Sequence, residues 1–333
     1  MEKILILGGT NFIGRNLVDR LLGHNQYKIT LFNRGLSNPD LFPAVRKISG
    51  NRNTLDVKSI SKENWDYIID LSCYYPDSLK NVINSIKNNV RRYIFISTCS
   101  VYNHELNKTE LRGENSLTLD CSEKECVDTS NNTYGNRKTE CERILQKSGL
   151  RYTIFRPALV YGKYDNTDRL YYWLYQIKKN KEILIPNNGE NLFSVTYVDD
   201  LIQVILNSIN DVSKSDIYNV TSYPKLSILN IIDISSRLLN KHPRLFYANS
   251  EFLKANKIAE WTNLPLWLNC DYFTYDNSKI IRDLNIKITD LKISLKETID
   301  YYSKTWKEPS YGISARLMHE LIKKLKHEKM TNS

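Results

Sequence analysis

Residues 4–14, Ile4-Leu5-Ile6-Leu7-Gly8-Gly9-Thr10-Asn11-Phe12-Ile13-Gly14, decide how this chain is read. Four consecutive apolar residues present apolar side chains on both faces of a strand, the mark of a strand buried within a parallel sheet. A glycine-rich turn follows at once. Leu17, Leu21 and Leu22 then trace a helix that Gly23 ends. Strand, glycine turn and helix in that order make a dinucleotide grip. Gly8 takes the tight turn at positive φ, and Gly14 lets the helix approach the sheet. The helix N-terminus offers N–H groups and a partial positive charge to a pyrophosphate. The Gly-x-x-Gly-x-x-Gly spacing is broken at position 11. Asparagine is the non-glycine residue that most readily enters the left-handed region, and its amide can donate to a phosphate. Gly8, Thr10, Asn11, Phe12, Ile13 and Gly14 are therefore the candidate phosphate-binding residues.

Outward from this stretch the alternation continues. YKITLFN (27–33) is a second strand, YIIDLS (67–72) another, and Pro76-Asp77 opens a helix with Leu79, Val82, Ile83 and Ile86 on one face. RYIFIST (92–98) and YTIFRPALV (152–160) are further strands. They flank a long polar loop over about 103–132 and a helix over 133–148 that ends at Gly149. Strands alternating with helices predict an α/β fold, a Rossmann-type doubly wound parallel sheet. Beyond residue 165 Tyr, Trp, Lys and Asn become dense, which predicts a smaller C-terminal substrate lobe. The expected organisation is a nucleotide-binding domain over 1–165, with part of 191–220 returning to it, a lobe over 166–306 and a basic tail over 307–333. In the lobe, Asp199 or Asp200 is expected to cap one helix and Ser227 the next.

The second strand ends in Phe32-Asn33-Arg34-Gly35, without the acidic residue that binds the ribose 2′-hydroxyl of NAD. Asn33 and Arg34 are candidate cofactor contacts. Arg34 suits a 2′-phosphate, which favours NADP over NAD.

Tyr134 and Lys138 lie four apart on one helical face. A tyrosine hydroxyl has an ordinary pKa of about 10, and a nearby ammonium lowers it into the range where it can exchange a proton with a substrate oxygen. Thr98 ends the preceding strand at the sheet rim, where its hydroxyl can bond the same oxygen. The bland alternative is a strand-end hydroxyl bonded to backbone.

With these residues in view, GGTNFIG, ISTCSVY, YGNRK and RPALVYG, in this order, resemble the extended short-chain dehydrogenase/reductases, the NAD-dependent epimerase/dehydratase family. VTYVDDLIQVI and the segment from Asp276 resemble that family's C-terminal pattern, so the likeness spans about 1–306. It implies that Thr98, Tyr134 and Lys138 are the catalytic Thr, Tyr and Lys. It also implies that Leu71, Ser72 and the Pro157–Val160 stretch border the cofactor, and that the substrate is a nucleotide-linked sugar. Cys73, Tyr74, Tyr75, Lys163 and Arg169 are the candidate substrate residues, the two cations facing a diphosphate. Tyr171, Tyr172 and Trp173 read as ordinary helix core. A homodimer through the helices bearing Asp77 and Tyr134 is implied by the resemblance alone, with Cys141 and Ile144 on that face or in the core. Cys99 and Ser100 stand where the family's 4,6-dehydratases carry Asp-Glu, which argues against water elimination. GGTNFIGR and LFNRG resemble an atypical branch that includes the chloroplast stem-loop-binding proteins.

Composition bounds the alternatives. The chain has 333 residues, 41% hydrophobic and 25% charged, enough for one large domain or two modest ones. No apolar run approaches the ~20 residues that span a bilayer, so a cytoplasmic protein without membrane contacts is expected. Six cysteines form no CxxC pair; Cys121 and Cys126, separated by four residues, have no nearby His, so unpaired thiols and no metal are expected. The net charge of +10 suits an anionic small substrate or, alternatively, RNA. The basic stretch LIKKLKHEKMTNS is read as a frayed helix end.

Overall fold

The computed structural model describes residues 1–86, 90–106, 108, 110–210, 215–270 and 273–331. In chain order the first elements are β1 (Glu2–Leu7), α1 (Phe12–Leu22), β2 (Tyr27–Asn33), β3 (Arg46–Ser49), β4 (Trp65–Asp70), α2 (Pro76–Ile86), β5 (Val90–Ile96), α3 (Glu123–Val127), α4 (Tyr134–Lys147), β6 (Tyr152–Pro157) and β7 (Leu159–Tyr161). There follow α5 (Arg169–Lys179), β8 (Glu182–Pro186), β9 (Phe193–Tyr197), α6 (Val198–Asn210), β10 (Asp216–Val220), β11 (Tyr223–Leu226) and α7 (Ile228–Leu239). The last are β12 (Arg244–Ala248), α8 (Ser250–Ala255), α9 (Ser278–Leu284), α10 (Leu291–Tyr302) and α11 (Ala315–Thr331). They form two compact units: Met1–Val160 with Thr196–Ser222 and Tyr275–Ile288, and Tyr161–Val195 with Tyr223–Thr274 and Thr289–Ser333.

The first unit is built on a seven-stranded sheet in the order β3-β2-β1-β4-β5-β6-β10, all parallel. The first six strands follow the doubly wound order, and the winding reverses between β1 and β4. The apolar run of β1 explains its central place: Ile4, Leu5 and Ile6 are fully buried. On one face, Leu79, Val82 and Ile86 of α2 and Cys141 and Leu145 of α4 pack with Leu5, Ile68, Tyr93, Phe95 and Ile154 of the sheet. Apolar area of this kind, at ~25 cal/mol per Å², is the main stabilising term.

The second unit carries the parallel pair β8–β12 and the antiparallel pair β9–β11. Tyr171, Tyr172 and Trp173 of α5 are buried, as helix core should be, and the Trp173 indole donates to the Pro265 carbonyl at 2.8 Å. Ser227 opens α7 in a reciprocal capping box with Asn230.

Several expectations need correction. Within the stretch read as a tail, residues 315–331 form α11, which buries Met318, Leu321, Ile322 and Leu325 and packs along β8, because every third or fourth residue is apolar beneath the lysines. Residues 275–288 also return to the first unit. The 103–132 loop contains α3. Asp199 and Asp200 lie inside the first turn of α6 and do not cap it; the Asp200 carboxylate instead accepts the Ser222 hydroxyl. Gly23 does end α1, as expected, and caps it in the right-handed region at φ −73°. No helix among the described residues is long and apolar enough to cross a membrane.

Candidate active site

The crevice of a doubly wound sheet opens at the carboxyl ends of the strands where the winding reverses. Here those ends are Leu7 and Asp70. The residues that follow them are tied together, with the Leu71 N–H and the Ser72 hydroxyl both donating to the Leu7 carbonyl, at 3.2 and 3.1 Å. Gly8 has φ +115°. A Cβ on Gly14 would lie 2.7 Å from the Gly9 Cα, so the first turn of α1 rests directly on the glycine turn. Thr10 and Phe12 are buried and Ile13 half-buried.

Asn11 does not take the left-handed conformation expected of it. It is extended, with φ −132° and ψ 151°, and is the N-cap of α1. An N-cap belongs in the β region, and the positive φ falls instead on Gly8, Gly9 and Phe12. The first turn of α1 carries no acidic side chain, so nothing there repels a pyrophosphate.

Asn33 is committed to the turn: its amide donates to the Gly8 carbonyl at 3.1 Å, and its oxygen accepts the Gly35 N–H at 2.9 Å. Asn38, which the sequence did not single out, donates to the Thr10 carbonyl at 2.9 Å. Arg34 between them is exposed. At the end of β4, desolvation works against the charged Asp70 carboxylate. Even so, the Arg52 guanidinium, bonded to both oxygens at 2.8 and 2.7 Å, holds it below the ordinary carboxylate range. The Tyr93 hydroxyl donates to the same carboxylate at 2.6 Å. An aspartate in the apolar run YIID was the one sequence signal for this buried network, because a lone buried charge requires a partner.

Thr98, Tyr134 and Lys138 all belong to the first unit. Thr98 follows β5 and its Oγ1 accepts the Ser100 N–H at 3.1 Å, so the strand-end role exists in the structure. Lys138 is buried. Its ammonium donates to the carbonyls of Ile96 at 2.6 Å and Cys73 at 3.0 Å, and it sits 4.1 Å from the centre of the Phe95 ring. Tyr134, the first residue of α4, is half-buried, with its ring 6.3 Å from that of Tyr74. Gly135 sets the position of the helix: a Cβ there would fall 2.2 Å from the Ser100 carbonyl oxygen. A glycine inside a helical pattern signals such a close approach, and sequence reasoning passed it over. Glu142, further along α4, bonds Arg156 of β6 at 2.6 and 3.0 Å and accepts the Ser97 hydroxyl at 2.5 Å. Pro157 is buried and Val160 half-buried at the end of the same stretch.

Of the substrate candidates, Cys73 is corrected: its side chain is buried in the apolar core, and only its carbonyl reaches Lys138. Cys141, fully buried beside that core, belongs to no exposed face. Tyr74 is exposed, while Tyr75 lies under the Arg137 guanidinium at 5.1 Å. In the second unit Lys163 is exposed, its ammonium 4.5 Å from the Tyr164 ring centre. Arg169 lies over the rings of Trp261 and Tyr311, at 5.3 and 5.8 Å. Among the described residues, its buried Nε has no hydrogen-bond partner. No group of three or more His, Cys, Asp or Glu side chains among the described residues could hold a metal.

The winding order, the glycine turn and the Tyr-x-x-x-Lys helix define a short-chain dehydrogenase/reductase. Within that class the chain belongs to the NAD dependent epimerase/dehydratase family, whose profile matches residues 4–221. It is 27% identical over 236 residues to the chloroplast stem-loop binding protein of 41 kDa b from Arabidopsis thaliana, covering 66% of this chain and 58% of that protein. It is 25% identical over 273 residues to a dTDP-D-glucose 4,6-dehydratase from Dictyostelium discoideum, covering 72% and 62%. The chain thus spans about three fifths of the length of these curated relatives. The UDP-glucose 4-epimerase of Thermotoga maritima, solved with UDP-glucose, shares the fold with TM-score 0.72 and 20% identity, over 92% of this chain and 100% of that one. The UDP-glucuronic acid 4-epimerase of Bacillus cereus, solved with NAD, does so with TM-score 0.70 and 18% identity, over 92% and 100%.

Proposed function

We propose that the chain is a nicotinamide-dependent enzyme that transfers hydride at a hydroxyl-bearing carbon of a nucleotide-linked sugar, as a 4-epimerase or a ketoreductase. The observation that carries this reading is that one unit holds both the glycine turn on α1 and the Thr98, Tyr134 and Lys138 group around β5 and α4. The turn, the first turn of α1 with no acidic side chain, and the Asn33 brace would hold the cofactor's phosphates. A bound nicotinamide supplies the hydride acceptor and donor. Tyr134 takes or returns the proton at the substrate oxygen, and Thr98 donates a hydrogen bond to that oxygen. Lys138 has two of its three donors on backbone carbonyls, which fixes its charge, and its role in this reading is to lower the pKa of the Tyr134 hydroxyl four residues before it on α4.

Elimination of water is the less fitting chemistry. Burial pushes the Cys99 thiol well above its ordinary range, and that thiol donates to the Arg156 carbonyl at 3.1 Å. It keeps its proton near neutral pH and so cannot serve as a base there. Arg169, with an Nε lacking a partner, is the better candidate for an anionic group of the substrate. Exposed Arg34, beside an Asn33 already committed to backbone, favours a 2′-phosphate and so NADP. Fluorescence titration with NADPH and NADH tests the cofactor. Tighter NADH binding removes the NADP preference, and binding of neither removes the enzyme reading. A stem-loop RNA reading draws on the Arabidopsis relative's name and the exposed lysines Lys323 and Lys324 on α11. It is favoured only if a hairpin RNA binds with steep salt dependence while both nicotinamide cofactors fail to bind.

A further inference from the structure

Cys121 and Cys126 stand apart from the other cysteines. Their Sγ atoms are 3.4 Å apart and both residues are half-exposed, whereas Cys73, Cys99 and Cys141 are buried. The local sequence brings them together. Ser122 Oγ accepts the Glu125 N–H at 3.3 Å, and the Glu125 carboxylate accepts the Ser122 N–H at 2.7 Å, a reciprocal box at the start of α3. In a helix capped this way, the residue before the cap and the fourth helical residue meet across the first turn, a contact ordinarily made by two apolar side chains. Here those two residues are Cys121 and Cys126, so the cap presses two thiols together.

The same segment is bound to α4. Asn136 donates to the Asp120 carbonyl at 2.7 Å and to Glu125 at 3.1 Å. Arg137 donates to the carbonyls of Asp128 and Ser130. Arg143 reaches the Leu119 carbonyl and Asp120, at 3.1 and 3.0 Å. The segment that carries the two thiols is therefore hydrogen-bonded to the helix that carries Tyr134 and Lys138.

We propose that Cys121 and Cys126 are a redox-active dithiol that closes to an intramolecular disulfide on meeting a low-molecular-weight disulfide, fixing residues 120–133 against α4. Closure brings the sulfurs from 3.4 Å to the ~2.05 Å of a disulfide, a small shift within one helical turn. Burial, followed by the hydrogen bond to Cys126, pushes the Cys121 thiol up to about 12, so Cys121 keeps its proton and Cys126 attacks first. The Cys126 thiolate attacks one sulfur of the small disulfide, forming a mixed disulfide and expelling one small thiolate. Cys121 then loses its proton to solvent or to that thiolate and attacks the Cys126 sulfur, expelling the second. The protein loses two electrons and two protons, and the small disulfide becomes two thiols.

The test uses the full chain, reduced, freed of reductant and incubated with glutathione disulfide, then alkylated and mapped by mass spectrometry. The expected product is monomeric, lighter by two hydrogens, with a cross-link between Cys121 and Cys126 that dithiothreitol reverses. Cys121→Ser and Cys126→Ser should each abolish it, and amide exchange over 120–133 should slow several-fold in the oxidised protein. A persistent glutathione adduct, a bond to Cys270, or no reaction would overturn the dithiol assignment. A cross-link without slower exchange would overturn the proposed fixing of the segment.

Discussion

Asn11 shows what a single residue discloses and conceals. Its place in a glycine-turn motif was legible, but its conformation was not: the motif spacing suggests a left-handed residue, and helix capping imposes an extended one. The difference changes the grounds of a prediction. Asn11→Gly should leave cofactor affinity within a few-fold, because glycine is a tolerable N-cap, at a few tenths of a kcal/mol. Asn11→Ala should cost about 1 kcal/mol in urea unfolding. A collapse of binding in the glycine variant would show that the Asn11 amide is itself a ligand. Tyr134 makes the sharper case. Tyr134→Phe should lower turnover by ~10²–10⁴-fold while cofactor titrations stay near wild type. Unchanged turnover would remove the proton-transfer role. Cys73 was misread for a simple reason: position after a strand says that a residue is near the rim, not which way its side chain turns.

At the scale of elements, the apolar runs predicted β1, β2, β4, β5 and β6 closely, since a strand buried on both faces leaves a plain trace in sequence. The exact registry of α4 was not legible. It depends on Gly135, which lies against the Ser100 carbonyl, and on Glu142 and Arg156, which meet only after folding. Gly135→Ala therefore tests the helix as a body. The added methyl meets a backbone oxygen, not a flexible side chain, so α4 must move away from residues 98–101. The expected result is a fall in kcat of at least ~10-fold, the scale on which displaced catalytic groups lose rate, with a lower melting temperature. Full activity in this variant would mean that the placement of α4 on β5 is not what orients Tyr134. The Cys121–Cys126 contact was equally hidden, because a spacing of five means little until a capping box folds the two residues onto one turn.

For the whole molecule, two buried carboxyl groups, one in each unit, respond to acid in opposite ways. In the first, Asp70 is held below the ordinary carboxylate range, so its contribution is present above the unfolded value of about 4 and is lost only as pH falls through its lower folded value. In the second, burial pushes Asp165 up to about 6, despite hydrogen bonds from Thr167. Its contribution is full below about pH 4 and is lost as pH rises through 6. Relative to wild type, Asp165→Asn should gain on the order of 3 kcal/mol at pH 7.5 compared with pH 4, because a carboxyl raised from about 4 to about 6 forfeits roughly that much between the two conditions. Denaturant unfolding at the two pH values measures it. A difference that does not change with pH would mean that Asp165 titrates normally.

The chain passes between the two units after residues 160, 195, 222, 274 and 288. This interleaving has a consequence during synthesis. The sheet acquires its outer strand β10 only once residue 220 has left the ribosome, and the last piece of the first unit arrives with residue 288. Until then β6 is an open edge, with the apolar side chains of Ile154 and Phe155 in it. A fragment that stops near residue 165, where the sequence alone places a boundary, would keep that edge and be prone to self-association. The nascent chain carries the same edge for the time it takes to add some sixty residues, a few seconds to about ten at ordinary elongation rates.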